Sequence, residues 1–157
     1  MSSLPFGHQS VERSADPDAL LRDRAAIVEI TNRYAWALDT RSWDDLDDVF
    51  LPDATAYMTE DLVGREAIKA RVRRALEPLD LSQHIIANHQ IVIEGDRASC
   101  RCYLQAQHVR EAAGRSPNFI VAGRYEDQLV RTADGWRIAH RDLVIMWTDG
   151  NPSVARG

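Results

Sequence analysis

The sequence predicts an α+β fold in which helices pack on one side of a curved, mostly antiparallel sheet. Two observations carry that expectation. Apolar residues recur at helical spacing through the first half of the chain, and from about Ser82 onward they recur at period two. Turn signals at Gly95-Asp96 and Asp134-Gly135 separate the alternating runs, so the strands follow one another as an antiparallel meander. Such a layout wraps a sheet around its helices and leaves a pocket between them.

Residues 1–15 are polar and aperiodic, with Pro5 and Gly7, and read as a loose arm. Asp16-Pro17 is an N-cap followed by proline at the first helical position. Leu20, Ile27, Ile30, Tyr34 and Leu38 then mark one face of a helix over 17–39. Ser42 is placed to cap a short second helix, Trp43 to Phe50, that Pro52 stops. Its Asp44, Asp45, Asp47 and Asp48 read as a solvated face near a helix N-terminus rather than a calcium site. Ala54 to Met58 forms a short strand, and Gly64 opens a third helix, Arg65 to Leu76, with Ala67, Ile68, Val72 and Leu76 apolar. Ile85, Ile86, Ile91, Val92 and Ile93 run to the turn at Gly95. Ala98, Cys100, Cys102, Leu104 and Ala106 then alternate with polar neighbours. A strand over about 118–132 and a last one over 136–147 complete the sheet. In the last strand the apolar parity changes between Ile138 and Leu143, which requires a one-residue bulge near His140 or Arg141. No linker or internal repeat interrupts 16–147, so this is one domain, followed by a tail over 148–157.

The composition agrees. A chain of 157 residues, 45% of them hydrophobic, buries roughly 70% of its unfolded surface as a single domain. Its 19 basic and 24 acidic residues leave a net charge of −5, which argues against nucleic-acid binding. Lys69 is the single lysine among those 19. The arginine excess is compatible with bidentate anion recognition, while base composition of the coding DNA is the more ordinary cause. No apolar run approaches the roughly 20 residues that span a bilayer. Cys100 and Cys102 lie on one strand face, a poor disulfide and a poor zinc site, and read as reduced packing residues of a cytoplasmic protein. No Gly-rich phosphate loop or metal-spaced ligand set is present, so no cofactor and no metal are expected.

Several stretches together resemble the SnoaL-like branch of the NTF2-like superfamily. They are Ala25-Ala26-Ile27 leading to Arg33-Tyr34-Ala35 and Leu38-Asp39; Trp43-Asp44-Asp45-Leu46 with Phe50 and Pro52-Asp53-Ala54; Gly64-Arg65-Glu66-Ala67-Ile68; and Gly123-Arg124-Tyr125-Glu126-Asp127 before Asp134-Gly135-Trp136-Arg137-Ile138. They extend over about residues 20 to 147. The resemblance implies an NTF2-like cone of about three N-terminal helices on a curved sheet, enclosing a deep apolar cavity. It does not fix a reaction, because one fold hosts many.

Asp39, at the end of the first helix, and His84, near the start of the following long strand, match positions at which the lindane dehydrochlorinase and scytalone dehydratase members of the family carry a buried elimination dyad. The resemblance therefore implies that Asp39 and His84 face each other across an enclosed cavity, with His84 abstracting a proton from substrate carbon. The plainer reading makes Asp39 a backbone cap and His84 a satisfied histidine. His108 shares the parity of Cys100 to Ala106 and points inward or sits at the rim. Asn88 shares the parity of His84, whereas His89 has the opposite parity and reads as structural. Tyr34, Tyr57 and Tyr125 are candidate hydrogen-bond donors to a ligand, along with Asn88 and His108.

The expected function is a cofactor-independent lyase or isomerase, of the dehydratase kind, acting on an apolar ring-containing molecule such as a steroid, polyketide or terpenoid. An Asp base with a Tyr and a protonated Asp would need Asp127 or Asp142 turned inward, and an Asp–Arg–Asp water site would need Arg124 or Arg141. The alternative is a non-catalytic ligand-binding or assembly subunit, since Trp43 to Met58 also resembles the small subunit of ring-hydroxylating dioxygenases. The partners expected are a small apolar molecule and further copies of the chain, as a dimer or trimer, with no nucleic acid and no membrane.

Overall fold

Residues 16–156 are described by a computed structural model; the expected arm over 1–15 lies outside them. Asp16 caps the first helix, α1 (Pro17–Thr40), by accepting a hydrogen bond from the Asp18 N–H at 3.0 Å. The helix ends where Arg41 turns left-handed, φ 60°. Ile27, Ile30, Tyr34, Ala37 and Leu38 form its buried stripe.

The expected second helix is shorter and tighter: a 3-10 segment, Trp43–Asp48. Ser42 does not cap it through its side chain, which pairs instead with Thr40 at 2.9 Å. Nor does Pro52 stop it. The chain is already extended from Phe50, and strand β1 (Phe50–Tyr57) contains the proline. Its pairing with the last strand is irregular between Phe50 and Thr55, and a residue without an N–H is tolerated at such an irregularity. Among the described residues the N-terminal half thus has three helical segments, of which two are long α-helices and the one between them is a short 3-10 segment.

A three-residue strand, β2 (Asp61–Val63), leads through Gly64, φ 89°, into α2 (Arg65–Leu76). Four long strands follow: β3 (Leu81–Glu94), β4 (Arg97–Val109), β5 (Asn118–Thr132) and β6 (Gly135–Gly150). They form the expected antiparallel meander. Strand β1 adds to β6 in parallel, so the six-stranded sheet is mixed, in the order β2-β1-β6-β5-β4-β3. The segment expected as a tail continues β6 to Gly150, and a 3-10 turn at Pro152–Ala155 buries Val154.

Three bulges bend this sheet. In β6, Ala139 and Met146 have no partner of their own on β5. In β3, Asn88 and His89 together oppose Cys102 of β4, with Asn88 left-handed at φ 58°. The β3 bulge reverses the parity of everything after it. His84 and Ile86 face the helical side before it, and His89 and Ile91 face the same side after it. Strand β3 is an edge strand, and α1 lies along it, joined by Arg24 Nη1 to the Ile91 carbonyl (3.0 Å) and His89 Nε2 to Thr31 Oγ1 (2.7 Å). The Thr31 hydroxyl donates to the Val28 carbonyl, so His89 is the donor in the second contact. Burial lowers the His89 pKa and keeps its ring neutral. At the far end of α1, Asp23 takes two hydrogen bonds from Arg131 (2.6 and 2.8 Å) and one from Trp136 (3.1 Å), fastening the helix to the β5–β6 hairpin.

Candidate active site

The last turn of α1 is an unfavourable place for a carboxylate, because the helix dipole is negative there. Asp39 is held in that turn by three donors. The His84 backbone N–H reaches Oδ2 at 2.7 Å, the Ser82 hydroxyl reaches Oδ1 at 2.9 Å, and His84 Nδ1 reaches Oδ1 at 2.6 Å. Burial raises the Asp39 pKa, but the hydrogen bonds from the His84 side chain and backbone outweigh it, and the net shift is downward. Arg41, whose left-handed backbone ends the helix, donates from Nη1 to the Ser82 hydroxyl at 2.8 Å and orients it toward Asp39.

An ionised Asp39 can only accept, so Nδ1 of His84 carries a proton in this contact, and in the neutral ring Nε2 holds the lone pair. The His84 side chain is only 5% exposed. It borders a cavity of about 550 Å³ between α1, α2 and the concave side of β4, β5 and β6. Asp39 does not border this cavity. It lies in a separate groove with Trp36, Ser82 and Gln83, and His84 is the wall between the two spaces. The expected arrangement of acid and imidazole across a cavity is therefore corrected: they are in direct contact, with the carboxylate behind the ring. An Asp that must fix a tautomer has to touch the ring, and β3 running beside the C-terminal end of α1 provides that contact.

His108 also lines the cavity, its ring perpendicular to that of His84 with centroids 5.8 Å apart. Its Nδ1 lies 3.3 Å from the Phe119 carbonyl, an acceptor only, so Nε2 is unprotonated in the neutral ring. Burial, and then the neighbouring His84, push its pKa down to about 4. Tyr34 and Tyr125 form the floor, with ring centroids 5.5 Å apart at 82°. Burial raises both phenol pKa values, so both remain protonated donors.

Two expected ligand contacts do not reach the cavity. Tyr57 alternates outward from β1 and is 46% exposed. Asn88 is exposed because the β3 bulge begins there and takes it out of the parity it would share with His84 in a regular strand. Conversely, the β5 parity turns Asp127 inward and the Ala139 bulge turns Arg141 inward. Both are fully buried and joined by two hydrogen bonds of 2.7 Å each. Burial lowers the Arg141 pKa, but Asp127 outweighs it and the guanidinium stays charged. Its carbon lies 4.1 Å from the Tyr125 ring centre and 4.2 Å from that of Tyr34, beneath the cavity floor. Asp142 faces outward and contacts His140 at 3.1 Å. Neither the two-Asp base site nor an Asp–Arg–Asp water site is assembled around Asp39.

Ser82, Arg41 and the Asp127–Arg141 pair complete the site, and reading the residues one by one did not single out the first two. Ser82 was accessible in principle, since it shares the parity of His84 two residues away. Among the described residues no group of three or more His, Cys, Asp or Glu side chains is placed to hold a metal ion, and no helix is long and apolar enough to cross a membrane.

Comparison with known proteins shows the family and the fold. The family model of the SnoaL-like domain matches residues 19–142. An uncharacterized protein of Mycobacterium tuberculosis, Rv2910c, is 34% identical over 137 residues, covering 83% of this chain and 90% of its own. The Kfla4162 protein of Kribbella flavida has a similar structure, with TM-score 0.80 and 28% identity over 88% of this chain and 99% of its own. Two further structures share the fold at lower identity. A candidate scytalone dehydratase of Novosphingobium aromaticivorans has TM-score 0.77 and 23% identity, covering 85% and 91% of the two chains. The hexachlorocyclohexane dehydrochlorinase LinA type 2 has TM-score 0.76 and 15% identity, covering 85% and 92%.

Proposed function

The chain belongs to the SnoaL-like domain family, with an NTF2-like fold, and on that premise we propose that it is a cofactor-independent lyase or isomerase whose base is His84. The observation that carries this reading is the 2.6 Å contact between Asp39 and Nδ1 of a histidine that forms the cavity wall. Nε2 takes a proton from a substrate carbon, and the electron pair of that C–H bond moves to the neighbouring carbon–carbon bond. In an elimination the leaving group departs from that neighbour with its own bonding pair. In an isomerisation the proton returns at another carbon. Asp39 stabilises the imidazolium while it lasts. The Tyr34 and Tyr125 hydroxyls donate to a carbonyl oxygen that gains charge as the proton leaves. His108, neutral with a free Nε2, accepts from a substrate hydroxyl.

The substrate class is an apolar, ring-containing molecule of steroid, polyketide or terpenoid kind, carrying a carbonyl beside the acidic carbon. The structures related by fold include a dehydrochlorinase and a candidate scytalone dehydratase, and both names denote eliminations. Buried free thiols at Cys100 and Cys102 fit a reducing cytoplasm. Ile85, Tyr103 and Trp147, each at least half exposed on the convex sheet face, fit assembly as a homodimer or homotrimer.

The test uses a panel of cyclic β-hydroxyketones, with formation of the conjugated enone followed by absorbance. Turnover by the unmodified protein should fall by about 10²–10⁴-fold in Asp39→Asn, because an amide facing Nδ1 selects the wrong tautomer, and at least as far in His84→Ala. Nitrogen-15 spectra of the imidazoles should show His84 protonated at Nδ1 in the parent protein and at Nε2 in Asp39→Asn. Turnover that survives His84→Ala, or a His84 tautomer indifferent to Asp39→Asn, would refute the assignment.

A further inference from the structure

Tyr34, Tyr125 and His108 inside the cavity are uncharged, yet its rim is lined by arginines. Arg71 and Arg74 of α2 and Arg156 beyond β6 all border it. Arg71 Nε lies 2.8 Å from Glu60 Oε1, and Arg74 Nη2 contacts the same oxygen. One carboxylate thus serves two guanidiniums. Arg156 is held in position through its carbonyl, which accepts from Arg110 Nη1 at 2.6 Å. Among the described residues no carboxylate lies within ion-pair distance of its side chain. Among the described residues, the three arginines and one glutamate that line the mouth leave two positive formal charges there, in a protein whose net charge is −5. Guanidiniums recognise oxyanions through paired donors, and two of these sit on one helix face, three residues apart, toward the opening.

From this arrangement we infer that the ligand is an amphipathic anion, with an apolar ring body that enters toward His84 and an oxyanion group that stays at the rim with Arg71, Arg74 and Arg156. The inference rests on the proposed reading of the cavity as the ligand site and narrows its substrate class. Charge is recognised where water remains, and the body is recognised where water is expelled. A carboxylate taken inside would lose its hydration against neutral tyrosines and a neutral His108, whereas at the rim it keeps both water and counter-charge.

The experiment uses a matched pair of fluorescent probes, 1-anilinonaphthalene-8-sulfonate and its uncharged parent N-phenyl-1-naphthylamine, each titrated into the full chain and each competed against the other. Arg74→Gln and Arg156→Gln should each weaken the sulfonate probe by about fivefold, a surface-pair magnitude, and leave the neutral probe within about twofold. Glu60→Gln should act in the opposite direction and tighten the sulfonate probe, since it removes the carboxylate that pairs with Arg71 and Arg74. The effects should shrink as salt is raised. If the two probes compete but none of the three substitutions separates them, the rim does not recognise anions and this inference is wrong while the cavity stands. If inorganic sulfate at millimolar concentration displaces the sulfonate probe but not the neutral one, the rim is a free-anion site and the inference also fails. If the neutral probe does not bind at all, the cavity is not an apolar ligand site, and both readings fall.

Discussion

The buried pair beneath the cavity floor makes the sharpest claim about stability. Asp127 and Arg141 have no exposed side-chain surface and share two 2.7 Å hydrogen bonds. Arg141 Nη1 is buried without a hydrogen-bond partner, and the guanidinium carbon lies about 4 Å from the ring centres of Tyr34 and Tyr125 and 5.7 Å from that of Phe50. Truncating Asp127 to alanine leaves a guanidinium in a site water cannot reach, at a cost of about 3–5 kcal/mol. For a chain of this size each kcal/mol is worth roughly 2–4 °C, so the midpoint should fall by about 6–20 °C. Arg141→Met alone strands the carboxylate and should cost a similar amount. The double variant Asp127→Leu/Arg141→Met strands nothing, and well-packed apolar replacements of buried ion pairs are often neutral. It should lie within about 1 kcal/mol of the parent, so the two single costs cancel rather than add. Urea denaturation read by tryptophan fluorescence and by circular dichroism, closed as a double-mutant cycle, measures the coupling. A single-variant loss below about 1 kcal/mol, or a double variant as unstable as both losses summed, would refute the claim that the charges are desolvated and mutually dependent.

Two further outcomes follow from the same packing. The His108 pKa of about 4 lies below its ordinary 6.5, so the folded state binds this proton less readily than the unfolded chain does. The associated stability is complete above pH 6.5 and is lost as pH falls toward 4, about 3 kcal/mol in all. His108→Gln should show a smaller loss in urea midpoint between pH 7 and pH 4.5, and an unchanged pH profile would contradict the burial of a neutral ring. A Cβ on Gly123 would meet the Val144 carbonyl oxygen at 2.2 Å, a backbone atom with little freedom to move beside the Met146 bulge. Gly123→Ala should therefore destabilise by about 1–3 kcal/mol, read by thermal melting, and a change under 0.5 kcal/mol would show that the β5–β6 contact is looser than described.

The helices and the meander were legible because their patterns are long. The Ala98 to Ala106 alternation survives intact in β4, and the Ile27, Ile30, Tyr34, Leu38 stripe is the buried face of α1. Asp39 and His84 stood out only through the family resemblance, and their direct contact did not, since it depends on how α1 lies along an edge strand. Short or local features were less visible. Strand β2 has three residues and no periodicity, and Pro52 looked like a helix stop because its strand is irregular there. Parity gave the β6 bulge to within about a residue. The same signal existed in β3, where Ile86 and Ile91 have opposite parity, and an asparagine between them is a residue type that accepts positive φ. Without that bulge Asn88 looks inward and His89 outward, the reverse of the structure. The arginine excess was silent as a composition and became informative only where α2 and the last turn bring three of those side chains to one opening.

The hydrogen bond from the His84 backbone to Asp39 has its own consequence. On an edge strand this amide points away from the sheet and is protected by a side chain rather than by a neighbouring strand. Its exchange with solvent deuterium therefore reports a single event, the parting of helix end from strand. The same carboxylate fixes the imidazole, so a molecule that breathes at this seam disarms its base each time it opens. Protonating Asp39 in acid should speed exchange at His84 ahead of the amides buried in β4 and β5, and a ligand that fills the cavity should slow it. One backbone proton thus serves as a gauge of how often the site is armed.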